Sequence, residues 1–140
     1  MQIRQFKGEF RFLSNFYPSP VKFRGILYPS VEHAYQSAKS ADPVWKKNCA
    51  DPEIKPSKVK KASAHIQLPA NWDDIRLAVM QECLELKFRR EPFKSWLLDT
   101  GDAYLLEGNW WGDTFWGVDL NTNTGHNHLG NLLMTLRSAL

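Results

Sequence analysis

The twenty residues from Asn71 to Arg90 constrain this chain more than any other segment. Trp72, Ile75, Val79, Cys83 and Leu86 recur three or four apart, which draws one apolar stripe along an α-helix, and Pro92 limits its end. In a chain of 140 residues such a helix buries its stripe only in the main core, so the other elements are expected to pack around it. The length suits one domain over residues 1–140, and no repeat, low-complexity tract or linker interrupts it.

Around that helix the signals are shorter. Residues 6–12 alternate Phe6, Phe10 and Phe12 with polar neighbours, and Val21–Tyr28 repeats the period around Arg24-Gly25, as short strands would. Ser30 is placed to cap a helix over Val31–Lys39. Asp42-Pro43 and Pro56-Ser57 open two more. Pro92–Leu98 forms a short helix stopping at Thr100-Gly101, and Ala103–Leu106 returns as a strand. Asn127 caps a last helix through Leu132, Leu133 and Leu136. The expected fold is α+β, mostly helical, a single domain with a small antiparallel sheet.

The net charge of +3 is too small for a general nucleic-acid coat. It is unevenly spread, however: between Lys39 and Lys61 seven lysines face three acids. Such a patch suits a phosphate-bearing ligand as well as it suits a solvated helix surface. Two cysteines at no metal or redox spacing, and an N-terminus without an apolar signal region, predict a cytoplasmic protein with free thiols and no membrane role.

Three places concentrate chemistry. Glu32, Gln36 and Lys39 fall at i, i+4 and i+7, so a carboxylate, an amide and an amine share one helix edge. The helix dipole explains the same acid at the start and cation at the end without catalysis. Residues 107–119 interleave Trp110, Trp111, Phe115 and Trp116 with Glu107, Asp113, Asp119 and glycines, which provides flat faces for a nucleobase and acids to accept from ring N–H groups or activate water. An element with one buried face cannot hide both Trp110 and Trp111, so one is expected to line a cleft. Finally, His126 and His128 precede a helix but lack a third ligand, so no metal is expected. The N–H groups there, with Asn127, suit a phosphate better.

Phe12-Leu13-Ser14-Asn15-Phe16-Tyr17-Pro18-Ser19-Pro20, then Tyr28-Pro29-Ser30-Val31-Glu32-His33-Ala34-Tyr35-Gln36 with Ala38-Lys39, then Phe115-Trp116-Gly117, Gly125, Asn127, Leu129-Gly130 and Leu133-Met134 with Arg137 resemble the NADAR family, also called YbiA-like, in the family's order. One block departs: Ser63-Ala64 stands where the family usually has Gly-Arg, although Lys60 matches the family's lysine. The resemblance implies an α+β N-glycosidase that breaks the bond between ribose C1′ and an exocyclic amine. Its substrates would be phosphorylated ribosylamino intermediates of riboflavin synthesis, or ADP-ribosyl guanine in DNA or RNA, with no cofactor. Glu32, Lys39 and Asp113 are the implied catalytic groups. Asn15, Phe16, Tyr35, Gln36 and Lys60, with Trp110, Trp111, Trp116, Gly117 and Asn127, are the implied substrate-binding set. Two chemical routes stay open: a carboxylate stabilising positive charge at C1′, or Lys39 adding to C1′ as a Schiff base. The alternative class is a module that binds NAD or ADP-ribose without turnover, which would keep the aromatic loop but need no acid at position 32.

Overall fold

The computed structural model describes the whole chain, residues 1–140. In chain order it runs β1 (Gln2–Ile3), a 3-10 helix (Gly8–Leu13), β2 (Val21–Phe23), β3 (Ile26–Tyr28), α1 (Val31–Ser37), α2 (Pro43–Ala50) and α3 (Pro56–Ala62). A second 3-10 turn (Ser63–His65) follows, then α4 (Trp72–Phe88), α5 (Phe93–Leu98), β4 (Tyr104–Leu105), β5 (Gly108–Asn109), β6 (Val118–Asp119) and α6 (His128–Ala139). The class is α+β with helices dominant, as expected. The chain groups into two compact units, Asn15–Lys87 and Met1–Ser14 with Phe88–Leu140. No helix is long and apolar enough to cross a membrane.

In the Asn15–Lys87 unit, β2 and β3 pair antiparallel with Val21 opposite Tyr28. Arg24 (φ 50°) and Gly25 (φ 89°) both take the left-handed conformation that a tight two-residue hairpin demands. The strands therefore lie where the alternation put them. Ser30 is extended (φ −157°) and its hydroxyl accepts from the His33 backbone N–H at 3.2 Å, the expected cap of α1. The His33 ring is pinned in turn, Nδ1 meeting Ser30 Oγ at 2.6 Å and Nε2 donating to the Ile54 carbonyl at 2.7 Å. Along α4, Trp72, Val79, Met80, Cys83, Leu84 and Lys87 are buried, whereas Ile75 and Leu86 are only half-buried. The stripe is thus rotated from the one read off the apolar residues, because a lysine occupies part of the core face. Lys87 is fully buried, with Nζ 5.7 Å from the centroid of the Tyr17 ring, and burial pushes its ammonium down to about 7.

In the other unit, two parallel pairs carry the chain: β1 with β4, placing Ile3 opposite Leu105, and β5 with β6, placing Gly108 opposite Val118. The strand expected over residues 6–12 is instead a 3-10 helix from Gly8 to Leu13, entered through Gly8 at φ 60°. Phe12 and Leu13 are buried on it, and Phe12 meets Trp96 at 5.5 Å between ring centroids. Over so short a run the alternation does not decide the period: Phe6 lies before the turn, and the adjacent Phe12 and Leu13 are the residues it buries. Asn127 does precede α6, but at φ 53° its side chain makes no capping bond.

Candidate active site

The α1 segment builds the denser of two polar clusters, and all its members belong to the Asn15–Lys87 unit. Glu32 is 5% exposed, so it is a buried acid and not the outward-facing one that its first-turn position suggests. Its Oε1 accepts from Gln36 Nε2 at 2.8 Å, the i, i+4 pairing predicted from spacing. Its own backbone N–H donates to the Asn15 carbonyl at 3.0 Å, which brings Asn15 to the start of the helix. Asn15 Nδ2 contacts Met80 Sδ at 3.5 Å. The remaining oxygens of these two amides, Asn15 Oδ1 and Gln36 Oε1, are buried without a hydrogen-bond partner. A buried acceptor left unmade costs about 1–3 kcal/mol, which marks both as acceptors for donors a ligand brings.

Lys39 lies two residues beyond the end of α1 rather than in its last turn. Its Nζ donates to Ser63 Oγ at 3.2 Å and stands 5.7 Å from the Tyr35 ring and 6.0 Å from the Trp72 ring, which themselves meet at 5.4 Å. The Lys39 ammonium is held below the usual lysine range, first by burial, opposed by the Glu32 carboxylate, and pushed further down by the charges of Lys60 and Arg76. Lys60 is exposed, its Nζ 5.8 Å from the ring of Phe16. The unit thus brings together Asn15, Phe16, Glu32, Tyr35, Gln36, Lys39 and Lys60. Sequence reasoning missed three neighbours. Trp72 was assigned wholly to the core stripe, Arg76 fell on a helix read only for its apolar residues, and Ser63 was read only as a departure from the family pattern.

The second cluster lies in the other unit. Trp110 and Trp111 are 55% and 62% exposed, so both rings face solvent where one was expected to. Asp113 Oδ1 accepts from the backbone N–H of Phe115 at 3.1 Å and of Trp116 at 3.0 Å. This carboxylate therefore shapes the turn, a role its spacing could not reveal. Asn109, fully buried, clamps the same turn: Oδ1 accepts from Asp113 N at 2.9 Å, and Nδ2 donates to Asp113 O at 2.9 Å and to Glu107 Oε2 at 3.3 Å. A Cβ at Gly117 would collide with that Glu107 carboxylate, so only glycine lets the two approach. Trp116 stacks edge-on against Phe115 at 4.8 Å.

The phosphate site expected before α6 is corrected by the structure. The N–H groups of Asn127, His128 and Leu129 donate to the carbonyls of Gly117, Phe115 and Trp116 at 3.2, 3.3 and 2.9 Å. Asn127 is 2% exposed and spends its side chain on Glu107 N and Leu105 O, both at 2.9 Å. Its donors are consumed inside the protein. His126 and His128 stack with centroids 5.3 Å apart and planes 9° apart.

Fold and site together describe a small α+β protein whose chemistry-bearing groups are a buried carboxylate–amide pair and a lysine amine beside two aromatic rings. The NADAR domain family model matches residues 3–140, and the chain belongs to that family. It is 35% identical over 131 residues to a riboflavin biosynthesis protein of Vibrio vulnificus, covering 92% of this chain but only 35% of that protein. It is 33% identical over 135 residues to an N-glycosidase of Nostoc punctiforme, covering 91% of this chain and 83% of the relative. The NMR structure of the Escherichia coli protein YbiA matches with a TM-score of 0.85 at 27% identity, over 99% of this chain and 83% of that one. The family's class is therefore that of enzymes acting on N-glycosyl bonds.

Proposed function

We propose that this chain, working as one domain over residues 1–140, hydrolyses the bond between ribose C1′ and an amine nitrogen in a phosphorylated ribosyl or ADP-ribosyl compound. The observation that carries this reading is the Lys39 amine: partly withdrawn from water, beside the Tyr35 and Trp72 rings, held in place by Ser63 Oγ, and within the field of the Glu32 carboxylate, with its pKa held below the ordinary range. A ribosylamine opens to an imine at C1′, and a neutral lysine amine adds there. The substrate's amine then leaves as C1′ becomes doubly bonded to Nζ, and water releases the sugar as an aldehyde that recloses. Glu32 carries protons for these steps, and the unmade acceptors Asn15 Oδ1 and Gln36 Oε1 take hydrogen bonds from sugar hydroxyls or ring N–H groups. Lys60 supplies charge for phosphate; in the other unit, the exposed Trp110 and Trp111 offer flat faces on which an aromatic ring can stack.

Two substrates fit this chemistry: a ribosylamino-pyrimidine phosphate, and ADP-ribosyl guanine in DNA or RNA. Comparing kcat/KM on both decides between them. Borohydride added during turnover should trap a sugar on Lys39, located by peptide mass mapping. Lys39→Arg should stay folded and lose activity by about 10³-fold, because guanidinium does not deprotonate to attack. An active Lys39→Arg enzyme, or no trapped adduct with a turning-over substrate, would leave the direct route with Glu32 stabilising charge at C1′. Binding of either compound without any turnover would point to the non-catalytic module.

A further inference from the structure

We propose that Ser63 is a positioning residue that holds the Lys39 amine in place and limits the directions its lone pair can take. The inference rests on the reading of Lys39 as the attacking group. Ser63 is 8% exposed and sits where α3 passes into the second 3-10 turn. A serine hydroxyl has one hydrogen, and here it goes to the Lys60 carbonyl at 2.6 Å. The oxygen is left with lone pairs only, so across the 3.2 Å to Lys39 Nζ the lysine must be the donor.

That assignment matters for the neutral amine, which has two hydrogens and one lone pair. With one N–H held by Ser63, and the rings of Tyr35 and Trp72 together on one side of Nζ at 5.7 and 6.0 Å, rotation about the Cε–Nζ bond is restricted. The lone pair is thereby kept off the serine oxygen and left two directions instead of three, and Nζ itself is held in place. An amine aimed in advance needs less ordering to reach its transition state.

The test needs no knowledge of the natural substrate. Pyridoxal phosphate, an aldehyde bearing a phosphate, forms an imine with a lysine amine by loss of water, and borohydride reduces it to a stable secondary amine. Labelling at Lys39, measured by mass spectrometry against the exposed Lys47, should fall about tenfold in Ser63→Ala and recover in Ser63→Thr, which keeps the hydroxyl. Ser63→Gly should match Ser63→Ala, and melting curves should show all three folded. With whichever substrate turns over, Ser63→Ala should lose about tenfold in kcat with KM within about twofold. Parental labelling in Ser63→Ala and Ser63→Gly, or no recovery in Ser63→Thr, overturns the proposal. An active Lys39→Arg enzyme sinks the reading beneath it instead. Should Ser63→Ala not fold, the contrast between Ser63→Gly and Ser63→Thr decides.

Discussion

Replacing Lys87 with methionine should flatten the pH dependence of stability. The folded protein holds this fully buried amine near a pKa of about 7, while the unfolded chain takes up the proton at 10.5. Between those values unfolding binds a proton, so stability climbs as pH rises, by up to about 1.4 kcal/mol per unit. Below pH 7 the cost of a buried charge is fully present; above 10.5 it is gone. Working the two titrations from pH 7 to pH 9 gives the parent about 2 kcal/mol of added stability from this group alone. Methionine, of similar length and without charge, has no such contribution. Urea unfolding of both proteins at pH 7, 8 and 9 isolates it, because every other titration cancels in the difference. The parent's stability relative to Lys87→Met should rise by about 2 kcal/mol over that interval. Parallel pH profiles would refute the reasoning, since they would mean that Lys87 carries the same protons folded and unfolded.

Arg76→Met removes a positive charge that lowers the Lys39 pKa, so the alkaline rise of kcat/KM should move to higher pH while the plateau is kept; an unmoved inflection counts against electrostatic tuning of the amine. Asp113→Asn keeps the oxygen that accepts from Phe115 and Trp116 and should fold and turn over as the parent does, whereas Asp113→Ala should lose about 1–3 kcal/mol in urea unfolding. A folded but inactive Asp113→Asn would return that acid to the chemistry.

Much of the site was legible in α1 because one helix edge carried it: the i, i+4 spacing paired Glu32 with Gln36, and Ser30 announced the start. What spacing cannot show is depth. Glu32 in a first turn reads as solvated until Asn15 closes over the helix start, and that contact comes from seventeen residues upstream. Lys87 drew no reading at all, since a lysine on a helix is taken as the polar side, and here it occupies the core face. Ser63 and Asn127 show a third limit. The value of a hydroxyl or amide lies in which single partner it meets, and those partners, Lys39 and the backbone at Leu105 and Glu107, are distant in sequence. The parallel β1–β4 pair was invisible likewise: its two strands are two residues each, about a hundred residues apart.

If Trp110 and Trp111 stack on a ligand as proposed, the clamp of Asn109 on Asp113 bears on the energetics of that step. Trp110 and Trp111 ride a turn whose ends are fixed by two hydrogen bonds of the Asn109 side chain, independent of any ligand. A free loop that orders two large side chains on contact surrenders roughly 0.5–1.5 kcal/mol for each. Here the backbone beneath the indoles has already given up its freedom during folding, so more of the stacking energy is retained as affinity. The same rigidity sets a limit, for a turn that cannot reshape itself gives little to partners that would need it to bend.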